Sequence, residues 1–171
     1  MLLRDLENKK IVILGLGEEG IDNYLALRKL FPDKVLGMAD QNKFSIFNFQ
    51  FSKLLKNDKN LKLHLGEGYL NAIGEYDVII KTPGIPANTL KPFLKEGSLV
   101  TTQTEIFFAN FSGKIIGVTG TKGKGTTSAL IYSILKTAGF KVKLVGNIGQ
   151  FFKFVSRSFE LLFELSRISK S

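Results

Sequence analysis

Short apolar runs separated by helical stretches mark the first two thirds of the chain. Each run is four or five residues long, which is typical of a buried strand. The predicted strands lie at residues 10–14, 34–38, 61–65, 78–81 and 98–101. Because strands that alternate with helices form parallel sheets with helical crossovers, the pattern predicts an α/β fold.

The predicted helices of this part differ in the clarity of their pattern. Residues 19–30 carry apolar side chains at helical spacing: Ile21, Tyr24, Leu25 and Leu27. Residues 104–111 form a second predicted helix. Residues 45–55 favour a helix, but phenylalanines at alternate positions 47, 49 and 51 leave a strand open. A turn at Ser112-Gly113 then sets the predicted domain boundary, with a Rossmann-like domain at 1–112 and a second segment at 113–171.

The second segment begins with a strand, a glycine-rich turn and a helix. The strand is predicted at 114–118 and the helix at 128–138, followed by strands at 141–145 and 161–165. Backbone N–H groups, a helix N-terminus and a lysine form a phosphate-binding loop in this arrangement. The candidate ATP-binding residues are Gly120, Thr121, Lys122, Gly123, Lys124, Gly125, Thr126 and Thr127. The alternative is a glycine-rich hairpin with surface lysines.

The loop departs from the common phosphate-loop spacing. Val118 stands where the first glycine would be, and Gly125 stands where the hydroxyl residue would be. Thr126 or its neighbour Thr127 must therefore supply any hydroxyl for a metal ion.

A second glycine motif follows the first predicted strand. It comprises Gly15, Leu16, Gly17, Glu18, Glu19 and Gly20, and Asp40 follows the second strand 20 residues later. Such a turn typically binds a dinucleotide, with the carboxylate on a ribose hydroxyl. The two glutamates disfavour an anion unless they turn outward, and a purely structural tight turn is the alternative. A third turn, Thr82-Pro83-Gly84, lies at the edge where α/β sheets bind ligands.

Charge is concentrated in the second segment. Residues 1–112 hold 14 Lys and Arg against 13 Asp and Glu, whereas residues 113–171 hold 10 against 2, within a net charge of +9. The excess of positive charge suits ATP as a ligand. The chain lacks the interleaved aromatic and basic residues that are typical of RNA-binding proteins, so we expect no nucleic-acid partner. There is no cysteine, no apolar run of about 18 to 20 residues and no apolar leader, so we expect a cytoplasmic protein without membrane contact.

The order of these motifs resembles one enzyme family. The two glycine turns, Thr82–Pro86 after an apolar strand, Thr104–Phe108 and Gly146-Asn147-Ile148-Gly149 follow one another over about residues 8 to 166. This order resembles the ATP-dependent Mur ligases of peptidoglycan synthesis, in particular the branch that adds D-glutamate. Folylpolyglutamate synthases share the Gly-Lys-Gly-Thr loop but not a Rossmann-like domain before it.

The resemblance implies a substrate domain, an ATPase domain and a third domain, in an enzyme that is monomeric. The carboxylate of UDP-N-acetylmuramoyl-L-alanine would attack ATP with Mg²⁺ bound, and D-glutamate would displace phosphate from the acyl phosphate. Lys124 and Glu164 would be catalytic, and Thr126 and Glu164 would hold the metal. Asn147 would bind substrate together with the residues of the first glycine turn, Asp40 and the Thr82 turn.

The match ends after Glu164-Leu165-Ser166, so the sequence predicts a C-terminally truncated ligase of doubtful activity on its own. The alternatives are another Mur ligase, a protein resembling folylpolyglutamate synthase, a nonenzymatic nucleotide-binding remnant, and a nicotinamide-dependent oxidoreductase that uses Asp40. His64, the single histidine, lies away from every motif and is assigned no role.

Overall fold

The computed structural model describes residues 1–42 and 55–145. The chain forms two compact units, Met1–Asn110 and Phe111–Ser171. The described residues of the second unit are 111–145.

Five parallel strands form the sheet of the first unit. They are β1 (Ile11–Leu14), β2 (Leu36–Asp40), β3 (Leu61–Leu65), β4 (Val78–Lys81) and β5 (Leu99–Thr101). All five predicted strands are confirmed, with ends shifted by at most two residues. Helix α1 (Glu18–Leu30) and helix α2 (Gln103–Asn110) are confirmed as well.

The strand order is β3-β2-β1-β4-β5, which places β1 at the centre of the sheet. The chain builds outward from β1 to β3 and then returns to the other side of β1 for β4. Ligands bind outside the carboxyl ends of the strands at such a reversal of strand order. The reversal therefore locates the candidate site between the ends of β1 and β4.

Both faces of the sheet are covered, which explains the uninterrupted apolar runs. Every residue of β1 and β2 is buried. Helix α1 lies on the face that carries Ile13, and its side chains of Ile21, Tyr24 and Leu27 are buried. The opposite face is covered by a core cluster of Val12, Leu14, Ala39, Ile73, Tyr76, Ile79 and Leu90.

Irregular segments supply much of that second cover. A 3-10 segment at Tyr69–Glu75 contributes Ile73, and shorter 3-10 turns at Ala87–Thr89 and Lys91–Phe93 flank Leu90. The sequence pattern predicted none of them, because segments this short show no helical period.

A polar network fastens the C-terminal end of α1. The Arg28 guanidinium lies 2.7 Å from the Asp58 carboxylate, which also accepts a hydrogen bond of 2.7 Å from the Tyr24 hydroxyl. The same guanidinium donates to the carbonyls of Phe31, Pro32, Lys34 and Asn60. Burial together with the bond to Asp58 raises the pKa of Tyr24 to about 12. The network fixes the path from α1 into β2 and β3.

His64 has a structural contact although the sequence assigned it no role. Its Nε2 lies 2.8 Å from the Tyr76 hydroxyl, and the two rings meet edge to face at 5.8 Å. Burial lowers the pKa of His64, which favours the neutral ring as the acceptor of the tyrosine proton. The Tyr76 ring in turn lies over Gly37, where a Cβ would come within 2.5 Å of its hydroxyl.

Asn110 closes the first unit. Its side-chain oxygen accepts the Leu3 N–H at 2.8 Å, and its amide donates to the Met1 carbonyl at 3.1 Å. The end of α2 is thereby tied to the start of the chain, which accounts for a compact unit that ends at this residue.

The described part of the second unit contains one regular element, helix α3 (Lys124–Thr137). The predicted strands at 114–118 and 141–145 are not strands in the described structure, because neither segment pairs with another described residue. The helix begins at Lys124 rather than at residue 128, since the threonines and glycine after Lys124 already take part in its first turn. The predicted strand at 161–165 lies outside the described residues, as does the predicted segment 45–55 except for residue 55, which begins the helical stretch described at 55–57.

Candidate functional site

The glycine turn after β1 is shaped by two close approaches. Gly15 has a φ of +92°, and a Cβ there would overlap the Thr82 side chain. A Cβ at Gly20 would overlap the Gly15 carbonyl oxygen. Glycine at both positions lets α1 start directly against the ends of β1 and β4.

Gly17 differs from the other two glycines of the turn. It is the residue that precedes α1, and its backbone (φ −65°, ψ −176°) is open to any residue type. Nothing lies within 4 Å of a Cβ built on it. The turn therefore leaves free space at Gly17, in front of the first N–H groups of α1.

Leu16 and Asp40 brace the turn from inside. The Leu16 side chain is buried, and its N–H donates to Asp40 Oδ2 at 2.6 Å. Asp40 Oδ1 accepts the Asn42 N–H at 2.8 Å, so both carboxylate oxygens are used by the backbone. These contacts give Asp40 a structural role that the spacing alone did not reveal.

The Thr82 turn lies beside the glycine turn, because it follows β4, the strand that pairs with β1. The Thr82 N–H donates to the Leu14 carbonyl at 3.1 Å, and the Ile85 N–H closes the turn on the Thr82 carbonyl at 3.2 Å. Pro83 and Gly84 are exposed, and a Cβ at Gly84 would meet nothing within 4 Å. Two open glycines thus lie in neighbouring turns at the reversal of strand order.

Acidic side chains cluster in the first turn of α1. Asp22 is buried, and burial together with the charges of Glu18 and Glu19 raises its pKa to about 6. Burial also raises the pKa of Glu19, against the opposing effect of Lys81. The two glutamates that disfavour an anion therefore lie at this end of the helix, and the charge of Lys81 acts on one of them, Glu19.

Helix α2 starts at the same edge with a capping box. The Thr102 hydroxyl accepts the Glu105 N–H at 3.2 Å, and Glu105 accepts the Thr102 N–H at 2.8 Å. The backbone hydrogen bond from Thr102 is the main reason for the lowered pKa of Glu105. The Thr-x-x-Glu spacing was available in the sequence as a signal for this start.

A buried amide pair joins the two helices. Gln103 Nε2 donates to Asn23 Oδ1 at 3.1 Å, and both side chains are at most 4% exposed. Asn23 Nδ2 has no partner among the described residues. No sequence signal distinguished these two residues from surface amides.

The glycine-rich loop of the second unit has the backbone of an anion site. Gly120 and Gly123 have φ values of +150° and +76°, and the Thr127 N–H is bonded to the Gly123 carbonyl at 3.0 Å. The earlier N–H groups of α3 have no acceptor within the helix. The Lys124 ammonium donates to the Gly120 and Thr121 carbonyls, and residues 119–127 are exposed.

These residues fit the phosphates of a nucleotide. Open amides, a lysine at the loop and glycines that leave room for close approach form a suitable donor set. Thr126 is in the first turn of α3, whereas Asn147 and Glu164 lie outside the described residues. Residues 1–42 and 55–145 contain no group of three His, Cys, Asp or Glu placed to hold a metal ion.

No helix within the described ranges is long and apolar enough to cross a membrane.

Comparison with known proteins gives consistent matches. The chain is 35% identical over 149 residues to a UDP-N-acetylmuramoylalanine–D-glutamate ligase of Acetivibrio thermocellus, which covers 85% of the chain and 31% of the relative. A ligase of the same name from Clostridium kluyveri is 43% identical over 154 residues, with 82% and 30% covered. The chain belongs to this ligase family.

A third D-glutamate ligase, from Clostridium acetobutylicum, is 36% identical over 155 residues and covers 84% of the chain. No profile of a known protein family matches the chain. The chain spans about a third of the length of the curated relatives that it matches. The parallel sheet of the first unit confirms the Rossmann-like α/β fold predicted from the sequence, and it is consistent with the N-terminal region of such a ligase.

Proposed function

We propose that the chain supplies two nucleotide sites of a D-glutamate ligase in the cytoplasm. The first unit would bind UDP-N-acetylmuramoyl-L-alanine, and the loop of the second unit would bind ATP. The observation that carries the proposal is the pair of open turns at Gly17 and Gly84, which follow the adjacent ends of β1 and β4 where the strand order reverses. The names of the relatives support this choice of substrate.

The chemistry proposed for the whole enzyme is amide formation through an acyl phosphate. The substrate carboxylate would take the γ-phosphoryl group of ATP and release ADP, and the D-glutamate amine would then displace phosphate. Phosphoryl transfer depends mainly on neutralising charge. Lys124 and the free amides of α3 would supply that charge, with Thr126 and Glu164 as predicted ligands of Mg²⁺.

A nicotinamide dinucleotide is the competing ligand, because the glycine spacing with Asp40 also resembles its fingerprint. That fingerprint requires the carboxylate to accept a ribose hydroxyl. Both oxygens of Asp40 already accept backbone N–H groups, from Leu16 and Asn42. The Asp40 carboxylate thus already has a structural role, and we base the choice of the uridine nucleotide on the names of the relatives.

Titration calorimetry of the chain with each ligand tests the proposal. We expect heat of binding and a saturable isotherm with UDP-N-acetylmuramoyl-L-alanine, and at least about tenfold weaker binding of NAD⁺, a difference of about 1.4 kcal/mol. An isotherm for NAD⁺ that is as tight or tighter would contradict the assignment of the first unit. Uridine diphosphate alone serves as a control for recognition of the nucleotide part.

A further inference from the structure

Lys81 occupies a distinctive place in the first unit. It is the last residue of β4 and lies in register with Leu14, the last residue of β1. Gly15 follows Leu14, and Thr82 follows Lys81 with its side chain against Gly15. Lys81 therefore sits where the two open turns begin, and it is partly buried there.

The surroundings of Lys81 at this edge are acidic. The described segments that directly follow the five strands are 15–20, 41–42, 66–70, 82–87 and 102–107, and none contains Lys or Arg. The same segments and strand ends carry Glu18, Glu19, Asp40, Glu67 and Glu105. Burial raises the pKa of Glu19 and Lys81 opposes that rise, whereas the Thr102 backbone hydrogen bond lowers the pKa of Glu105 with a smaller contribution from Lys81. The Lys81 charge therefore acts on the first turns of both α1 and α2.

A diphosphate at this edge needs a compensating cation. The first amides of α1 offer partial positive charge, but Glu18 and Glu19 in the same turn oppose it. Among the described residues, Lys81 at the end of β4 is the basic residue that lies at the carboxyl ends of β1 and β4. Resting on the proposed function, we infer that the Lys81 ammonium binds the diphosphate of the uridine nucleotide and selects for it over an uncharged nucleoside.

Binding of uridine 5′-diphosphate and of uridine to the whole chain tests this inference. For Lys81→Met we expect affinity for the diphosphate to fall about ten- to a hundredfold, as when a charged hydrogen bond is lost. Affinity for uridine should stay within about twofold, because the inference places the ammonium at the diphosphate, which uridine lacks. Lys81→Arg should retain most of the diphosphate affinity.

Lys9→Met is the matched control, since it removes the same charge from an exposed lysine that precedes β1 at the opposite edge of the sheet. It should leave both affinities unchanged. Equal losses for uridine and for the diphosphate in Lys81→Met would overturn the inference, because the lysine would then shape the turn. Undiminished diphosphate affinity in that variant would overturn it as well.

A measurement without ligand separates this inference from the proposed function. Carboxyl NMR titration of Lys81→Met should show higher pKa values for Glu19 and Glu105 than the unaltered chain, and unchanged values would remove the electrostatic basis of the inference. If the unaltered chain binds neither uridine nor the diphosphate, the proposed function fails and the role of Lys81 in binding fails with it. If it binds both equally tightly, only the role of Lys81 fails.

Discussion

Gly20→Ala should lower the free energy of unfolding of the first unit by at least about 3 kcal/mol, or prevent its folding altogether. The added Cβ would overlap the Gly15 carbonyl oxygen and lie 2.8 Å from its carbon. Both are backbone atoms of a turn fixed between β1 and β4, so neither a rotamer change nor a small shift relieves the overlap. Chemical denaturation followed by circular dichroism gives the change in free energy.

Gly17→Ser is the matched control within the same turn. Its Cβ meets nothing within 4 Å, its backbone suits any residue, and serine is favoured at the position before a helix. We expect a change of no more than about 0.5 kcal/mol in the free energy of unfolding. Equal stability losses for Gly20→Ala and Gly17→Ser would contradict the described packing of α1 against the turn.

Lys124→Ala should weaken ATP binding by about ten- to a hundredfold, because one charged hydrogen bond is worth about 1.5 to 3 kcal/mol. Lys124 is exposed at the glycine-rich loop, where its ammonium donates to the Gly120 and Thr121 carbonyls. The side chain is outside any core, so the thermal unfolding of the first unit should not change. Fluorescence titration with a labelled ATP analogue measures the affinity.

Lys136→Ala provides the control for charge. Lys136 is in the last turn of the same helix, over the Tyr132 ring, and is far along α3 from the loop. Its removal should change ATP affinity by less than about twofold. An unchanged affinity in Lys124→Ala would show that the loop does not bind the phosphates through this lysine.

The sheet of the first unit could be predicted from the sequence because its strands are buried on both faces. The apolar runs at β1 and β4 are bounded by polar or glycine residues, so their positions follow from composition alone. The proximity of the Gly15 and Thr82 turns follows from parallel strands that end at one edge. The glycine spacing then indicated where a nucleotide could approach.

Contacts between distant residues could not be predicted in the same way. The bond of Asp40 to Leu16 and the network of Arg28 with Asp58 join residues that are 24 and 30 positions apart. Nothing in local spacing specifies such a partner. Lys81 is visible in the sequence as the charged residue that ends the apolar strand β4, but its acidic surroundings come from segments distant along the chain.

In the second unit, the sequence pattern predicted strands that the described structure does not contain. Apolar residues at 114–118 and 141–145 satisfied the pattern of a strand, but strand formation depends on pairing and not on composition. Ile115 and Ile116 are exposed by 44% and 59% in the described structure. The helix was predictable because its hydrogen bonds are local.

The most direct test of a uridine nucleotide site in the first unit is amide NMR of the chain titrated with UDP-N-acetylmuramoyl-L-alanine. We predict shift changes at residues 15–20, at Asp40 and at residues 82–84, and their loss in Gly17→Val, whose branched side chain would fill the open space at the turn. Gly17→Ser, with its smaller side chain, should retain part of the response. Shift changes confined to residues 111–145, or equal changes in the Gly17→Val variant, would contradict the site proposed at the ends of β1 and β4.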